Sequence, residues 1–307
     1  MRRVWWAPVA LAVASSCWGI SVPLSKKAVD VVPPATLLSL QLLVSIIVLW
    51  TCILLRRQPA LETSPPITRR NLYHACLSGV LQPGTTFLLV TVGLLLTSAN
   101  EVALLDAIEP IIIMAMAAVL LKERISTIQY VCALSALLGA VLVMLPQVDV
   151  AAVSLRGLIG DLLVLTGLFI AALYVILSRR LISSYDGLHL AAVQQSAAWV
   201  FSLVALFAAY LFGIQPIPIT AMTGEIILVV ILSGLLQFAL PFWLYLLALR
   251  HIRASVTALF LPLIPLSGVI TAYFLLDETL TAGQWFGALL IILAVLGSSL
   301  LSKGSSQ

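Results

Sequence analysis

The sequence predicts an all-α polytopic membrane protein in which ten transmembrane helices form two inverted five-helix repeats. Composition, the number and length of the apolar runs, and an internal duplication predict it. Of 307 residues, 62% are hydrophobic and 9% charged, too little polar surface to cover a water-soluble globule of this size. Runs of about 20 apolar residues, the length that crosses a hydrocarbon core of about 30 Å, occur ten times. They are too long and continuous for barrel strands, and a helix satisfies its own backbone groups in lipid.

In chain order the runs cover roughly residues 5–25, 34–55, 73–95, 98–121, 127–145, 157–178, 188–212, 225–248, 254–276 and 282–302. The first follows Arg2 and Arg3 in the manner of a signal peptide. It has the length of a full span, however, and ends in Ser25-Lys26-Lys27 without a small-residue cleavage site, so it reads as a retained helix. The second opens on Pro33-Pro34, the third follows Arg69-Arg70, and the fourth stops at Lys122-Glu123-Arg124. The sixth runs from Arg156 to Arg179-Arg180, Arg250 and Arg253 separate the eighth from the ninth, and the tenth closes on Lys303.

Orientation follows from these cations. With the N-terminus in the cytoplasm, thirteen of the 16 Lys and Arg residues fall inside, leaving Lys26, Lys27 and Arg156 outside, as the positive-inside rule requires. Both termini are then expected in the cytoplasm of a bacterial cell, in the inner membrane. The basic excess reports topology and contact with anionic lipid headgroups; nucleic-acid binding has no support.

The duplication is visible without an alignment. Ser78-Gly79-Val80-Leu81-Gln82 recurs as Ser233-Gly234-Leu235-Leu236-Gln237, and Leu120-Leu121-Lys122-Glu123-Arg124 as Leu275-Leu276-Asp277-Glu278-Thr279, both 155 positions later. Pro110 falls on Pro265 at the same offset, while Ser25-Lys26-Lys27 meets Ser178-Arg179-Arg180, and Gln41 meets Gln194, at 153. The units are residues 1–148 and 154–303, with a short tail at 304–307. An odd helix count per unit makes the second enter from the opposite side, and inverted repeats of this kind bind substrate near the midplane.

With Trp18-Gly19 in the first helix, Pro33-Pro34 at the second, Glu109-Pro110 in the fourth and Glu123 or Glu278 closing the fourth or ninth, each unit resembles the EamA domain of the drug/metabolite transporter superfamily. The sequence departs from the family pattern at Gln41, where an Arg is frequent, and at Lys122-Glu123 and Asp277-Glu278, where Gly-Glu is frequent. The resemblance implies alternating-access secondary transport, often export, of amino acids, metabolites or drugs. It also implies a central cavity lined by helices one, three, four, six, eight and nine.

The fourth run holds three of the chain's twelve acids, Glu101, Asp106 and Glu109. A charge at bilayer depth costs about 2.5–3.5 kcal/mol on insertion scales, and acids facing a cavity there mark substrate or proton pathways. At about 100° per residue, Glu109 lies about 80° and Asp106 about 140° around the helix from Glu101, so one cavity can take all three. Their counterparts are Val256, Leu261 and Ile264, which shows that the scaffold does not demand acids. Gln82 and Gln237 are a matched polar pair, Trp18 and Tyr174 are aromatic wall candidates, and Tyr245 lies about 80° from Gln237. Glu123 and Glu278 read as caps of the helices that follow them, and Gly283 with Gly287 as a close-packing GxxxG.

The histidines His74, His189 and His251 and the cysteines Cys17, Cys52, Cys76 and Cys132 form no metal or catalytic spacing. Neither an enzyme nor a cofactor is expected. The partners expected are a small zwitterionic or cationic solute, membrane lipid and protons, with the chain a monomer or homodimer. The alternative is a channel or receptor without coupled transport.

Overall fold

A computed structural model describes residues 6–29, 31–56, 68–97, 99–144, 155–213, 222–276 and 281–304. Ten largely apolar elements, all helical, run through the described residues. They are α1 (Trp6–Val29), α2 (Pro34–Leu55), α5 (Thr127–Met144), α6 (Leu155–Leu181), α7 (Gly187–Leu211) and α10 (Ala282–Gly304), together with four interrupted helices. In α3, Arg69–Gly79 passes through a π-helical segment, Val80–Thr85, into Thr86–Leu94; in α8, Gly224–Gly234 passes through the π-helical Leu235–Ala239 into Leu240–Leu249. The fourth span is two pieces, α4a (Ala99–Asp106) and α4b (Glu109–Leu120), and so is the ninth, α9a (Ala254–Ala258) and α9b (Leu263–Leu276).

These irregularities obey the duplication: the π-helical segments begin 155 residues apart, at Val80 and Leu235, and each broken helix carries Pro110 or the matching Pro265 just past its break. Proline lacks the N–H that would bond the carbonyl four residues earlier. Neighbouring helices make such gaps tolerable in a membrane protein.

Packing follows a pseudo-two-fold. α1 lies against α8 and α9b, and its counterpart α6 lies against α3 and α4b; α2 meets α7, and α5 meets α10. Two matched staples hold this arrangement. The Gln41 amide donates to Ser233 Oγ (2.8 Å) and Ser25 Oγ (3.2 Å), and the Gln194 amide to Ser78 Oγ (2.8 Å) and Ser178 Oγ (2.9 Å). Each ties three helices together in a region without water to compete for its hydrogen bonds. Gly79 and Gly234 make room for them: an added Cβ would lie 2.0 Å from the Gln194 carbonyl oxygen and 2.9 Å from that of Gln41.

The α5–α10 seam closes on Gly139 and Gly287, where an added Cβ would come within 2.6 Å of the other's carbonyl oxygen. Of the expected GxxxG, only Gly287 enters this seam; Gly283 meets nothing closer than Thr281, at 3.9 Å. Leu54, Val119 and Phe207 are exposed, as befits a lipid-facing surface.

The face carrying Trp6 gathers the ends of α2, α4b, α6 and α8. Arg56 pairs with Asp186 at 3.6 Å, Trp6 meets His251 edge-on at 5.1 Å, and Arg180 donates to the Leu120 carbonyl at 2.7 Å. On the opposite face, Arg156 reaches the Leu95 carbonyl at 3.4 Å.

Candidate functional site

The break in α4 determines how its acids are presented. Asp106 ends α4a, Ala107 and Ile108 turn, and Glu109 begins α4b with Pro110 beside it. Glu109 therefore sits in the first turn of a twelve-residue helix, where the helix dipole favours a negative charge. Asp106 is exposed and Glu109 is half-buried. Among the described residues neither makes a hydrogen bond or ion pair, and the two stand close enough to interact electrostatically. At the matching break in α9, Leu261 is 7% exposed. The break in α4 is thus acidic and the matching break in α9 apolar.

Beside this break lies an aromatic cluster. Trp18 packs against Phe242 (5.4 Å) and Tyr245 (5.8 Å), Tyr174 against Phe242 (5.8 Å), and Phe238 against Phe242 (6.2 Å) and Phe87 (5.0 Å). Tyr174 and Tyr245 are only 2% and 3% exposed. Their hydroxyls are used internally, on Gln194 Oε1 at 3.2 Å and Thr257 Oγ1 at 3.1 Å. They form a packed floor, and of the aromatic wall candidates Trp18 alone keeps partial exposure. Its indole N–H donates to the Gln237 carbonyl at 2.8 Å, a backbone oxygen within the π-helical segment of α8. Glu109 interacts electrostatically with Tyr245, which connects the acidic break to the floor.

The matched glutamines are not equivalent. Gln237 Oε1 accepts from Ser25 Oγ at 2.6 Å, linking α8 to the Gln41 staple. Gln82 sits at a non-helical kink (φ −143°, ψ 127°) and is half-buried. Among the described residues its side chain has no hydrogen-bond partner.

Glu101 lies apart from this group. Its carboxylate contacts Thr97 Oγ1, which also contacts Asp161 Oδ1 at 2.8 Å. The contact brings Asp161, from α6, into the acidic set. Sequence reasoning missed Asp161 because it stands alone in its span and its neighbours come from another helix. Among the described residues no three acid, His or Cys side chains are placed to hold a metal ion.

Glu123 caps a different helix from the one expected. Its carboxylate accepts from Ala254 N–H and Ser255 N–H, both at 3.0 Å, and from Ser255 Oγ at 2.5 Å. It therefore caps α9a, across the repeat boundary, whereas α5 is served by Ser126 and Gln129. Glu278 lies outside the described residues.

Comparisons with known proteins agree with this architecture. The model of the EamA-like transporter family matches residues 5–145 and 158–300, one match for each repeat. The uncharacterized transporter YyaM of Bacillus subtilis is 27% identical over 237 residues, covering 75% of this chain and 74% of that protein. A probable terminal-alkyne amino-acid exporter of Streptantibioticus cattleyicolor is 28% identical over 211 residues, covering 68% and 67%. One protein crystal structure shares the fold with a TM-score of 0.80 at 18% identity, covering 98% of this chain and 99% of that one.

Proposed function

The chain belongs to the EamA-like transporter family, and we propose that it is a proton-linked secondary transporter exporting a small zwitterionic or cationic metabolite, such as an amino acid. The observation that carries this reading is the break in α4, which presents two carboxylates unpaired among the described residues, Asp106 exposed and Glu109 half-buried, with Glu109 interacting electrostatically with Tyr245, on which the half-buried Trp18 packs. Carboxylates favour an ammonium group, an indole face adds cation–π attraction, and a carboxylate that exchanges its proton for a bound cation links the two fluxes. The amino-acid exporter among the relatives supports the same substrate class. We place both termini in the cytoplasm, in a bacterial inner membrane, on the positive-inside rule.

Proteoliposomes test the proposal. A pH gradient should drive accumulation of labelled substrate, and unlabelled substrate on the far side should accelerate exchange with saturation. Flux that neither saturates nor responds to substrate on the far side would replace the carrier with a channel. A thermal-shift screen of amino acids, polyamines and drugs selects the substrate, because a ligand that binds the folded state raises its apparent melting temperature.

A further inference from the structure

The two repeats meet closely where α9a reaches α4b. On the Trp6 face, α9a packs against α4b, and Ala254, Ser255, Val256, Thr257 and Ala258 are all 0% exposed. Among the described residues, α4a packs chiefly on α3, α5 and α6, and Asp106 at its end is exposed. The two repeats are therefore tightly packed against each other on the Trp6 face.

One carboxylate spans the shut end. Glu123 belongs to the first repeat, and the groups it bonds, Ala254 N–H, Ser255 N–H and Ser255 Oγ, belong to the second. The contact is reinforced on both sides: Gln129 Nε2 donates to Ser255 Oγ at 3.2 Å, and Arg253 donates to the Arg124 carbonyl at 3.2 Å. Lys122, immediately before Glu123, has φ 56°, a left-handed conformation that costs a side-chain-bearing residue energy and persists only when its surroundings hold it. A helix-ending turn in that conformation aims Glu123 at the other repeat.

We propose that Glu123 is an inter-repeat latch that holds the Trp6 face of the cavity closed, and that each transport cycle must release it. The latch rests on the alternating-access reading above. When α9a moves away from α4b, the two N–H groups and the carboxylate return to water and Lys122 can relax. Because the contact joins the repeats, its loss shifts the balance between the two facing states and leaves the packing within each repeat intact.

Impermeant maleimide labelling tests this in a chain whose native cysteines are replaced. One reporter, Val256→Cys, lies behind the latch and is labelled from the Trp6 face; the other, Ile108→Cys, lies at the α4 break and is labelled from the opposite face. Glu123→Gln should raise the rate at 256 and lower it at 108, so that the ratio of the two rates changes by about tenfold, the equilibrium shift produced by weakening one charged hydrogen bond. Glu123→Asp should fall between that variant and the parent. Protection at 256 that survives Glu123→Gln, or rates that rise at both positions as in general loosening, would overturn the latch. Substrate flux measured separately keeps the outcomes apart: absent flux in the parent refutes the transport reading, while the reciprocal labelling still decides the latch.

Discussion

The two broken helices, α4 and α9, have the same architecture and opposite chemistry. Each divides into two pieces, each has a proline just past the break, and each packs on the first helix of a repeat. Yet Asp106 and Glu109 correspond to Leu261 and Ile264 at the repeat offset. A break therefore needs no acid, and an acid found at one has a reason beyond the fold. The α3 and α8 pair teaches the complementary lesson: the Gln237 side chain is hydrogen-bonded, while among the described residues the Gln82 side chain at the matched position is not.

This comparison can be broken most forcefully at the acids. Asp106→Asn and Glu109→Gln should each lower pH-driven flux by about two orders of magnitude, as loss of a proton-transferring group does. The mirror changes Leu261→Ala and Ile264→Ala should leave flux within about threefold once folded protein is normalised. Equal losses on both sides would make the breaks, and not the acids, the functional element.

A second contrast is steric. Gly79→Ala places its Cβ 2.0 Å from a backbone oxygen, and Gly234→Ala 2.9 Å, so helices must separate in both. We expect about 3 kcal/mol of destabilisation for the first and about 1 kcal/mol for the second, read from thermal unfolding in detergent. The latch predicts a contrast of about tenfold between Glu123→Gln and the parent in the ratio of labelling at positions 256 and 108; equal shifts at both positions would contradict it. The smallest effect is a match: Gln41→Leu and Gln194→Leu should lose similar stability, about 1 kcal/mol each, since their serine partners and distances correspond.

Much of this architecture was legible in the chain. Run length gave the ten spans, and the 155-residue offset paired Ser78 with Ser233 and Pro110 with Pro265. The breaks were not legible, because hydropathy reports only that a segment prefers lipid. A continuous helix and a broken one supported by neighbours satisfy that preference equally, so residues 98–121 and 254–276 read as single helices. Glu123 shows a related limit. Spacing offers it α5 to cap, and only the crossing of the repeats brings the start of α9a within 3.0 Å. Asp161 was hidden likewise, since its contact with Thr97 joins α6 to the end of α3. Tyr174 and Tyr245 were recognisable as neighbours of the site, but their burial depends on packing partners that lie in other helices.

On the proposed mechanism, the carboxylate pair at the α4 break exchanges protons for a cationic group. Infrared difference spectroscopy of the reconstituted protein, with and without its substrate, tests it most directly. Substrate should remove a protonated-carboxyl C=O band in the parent, and that loss should vanish when Asp106→Asn and Glu109→Gln are combined. An undiminished band change in the double variant would place proton exchange at other residues.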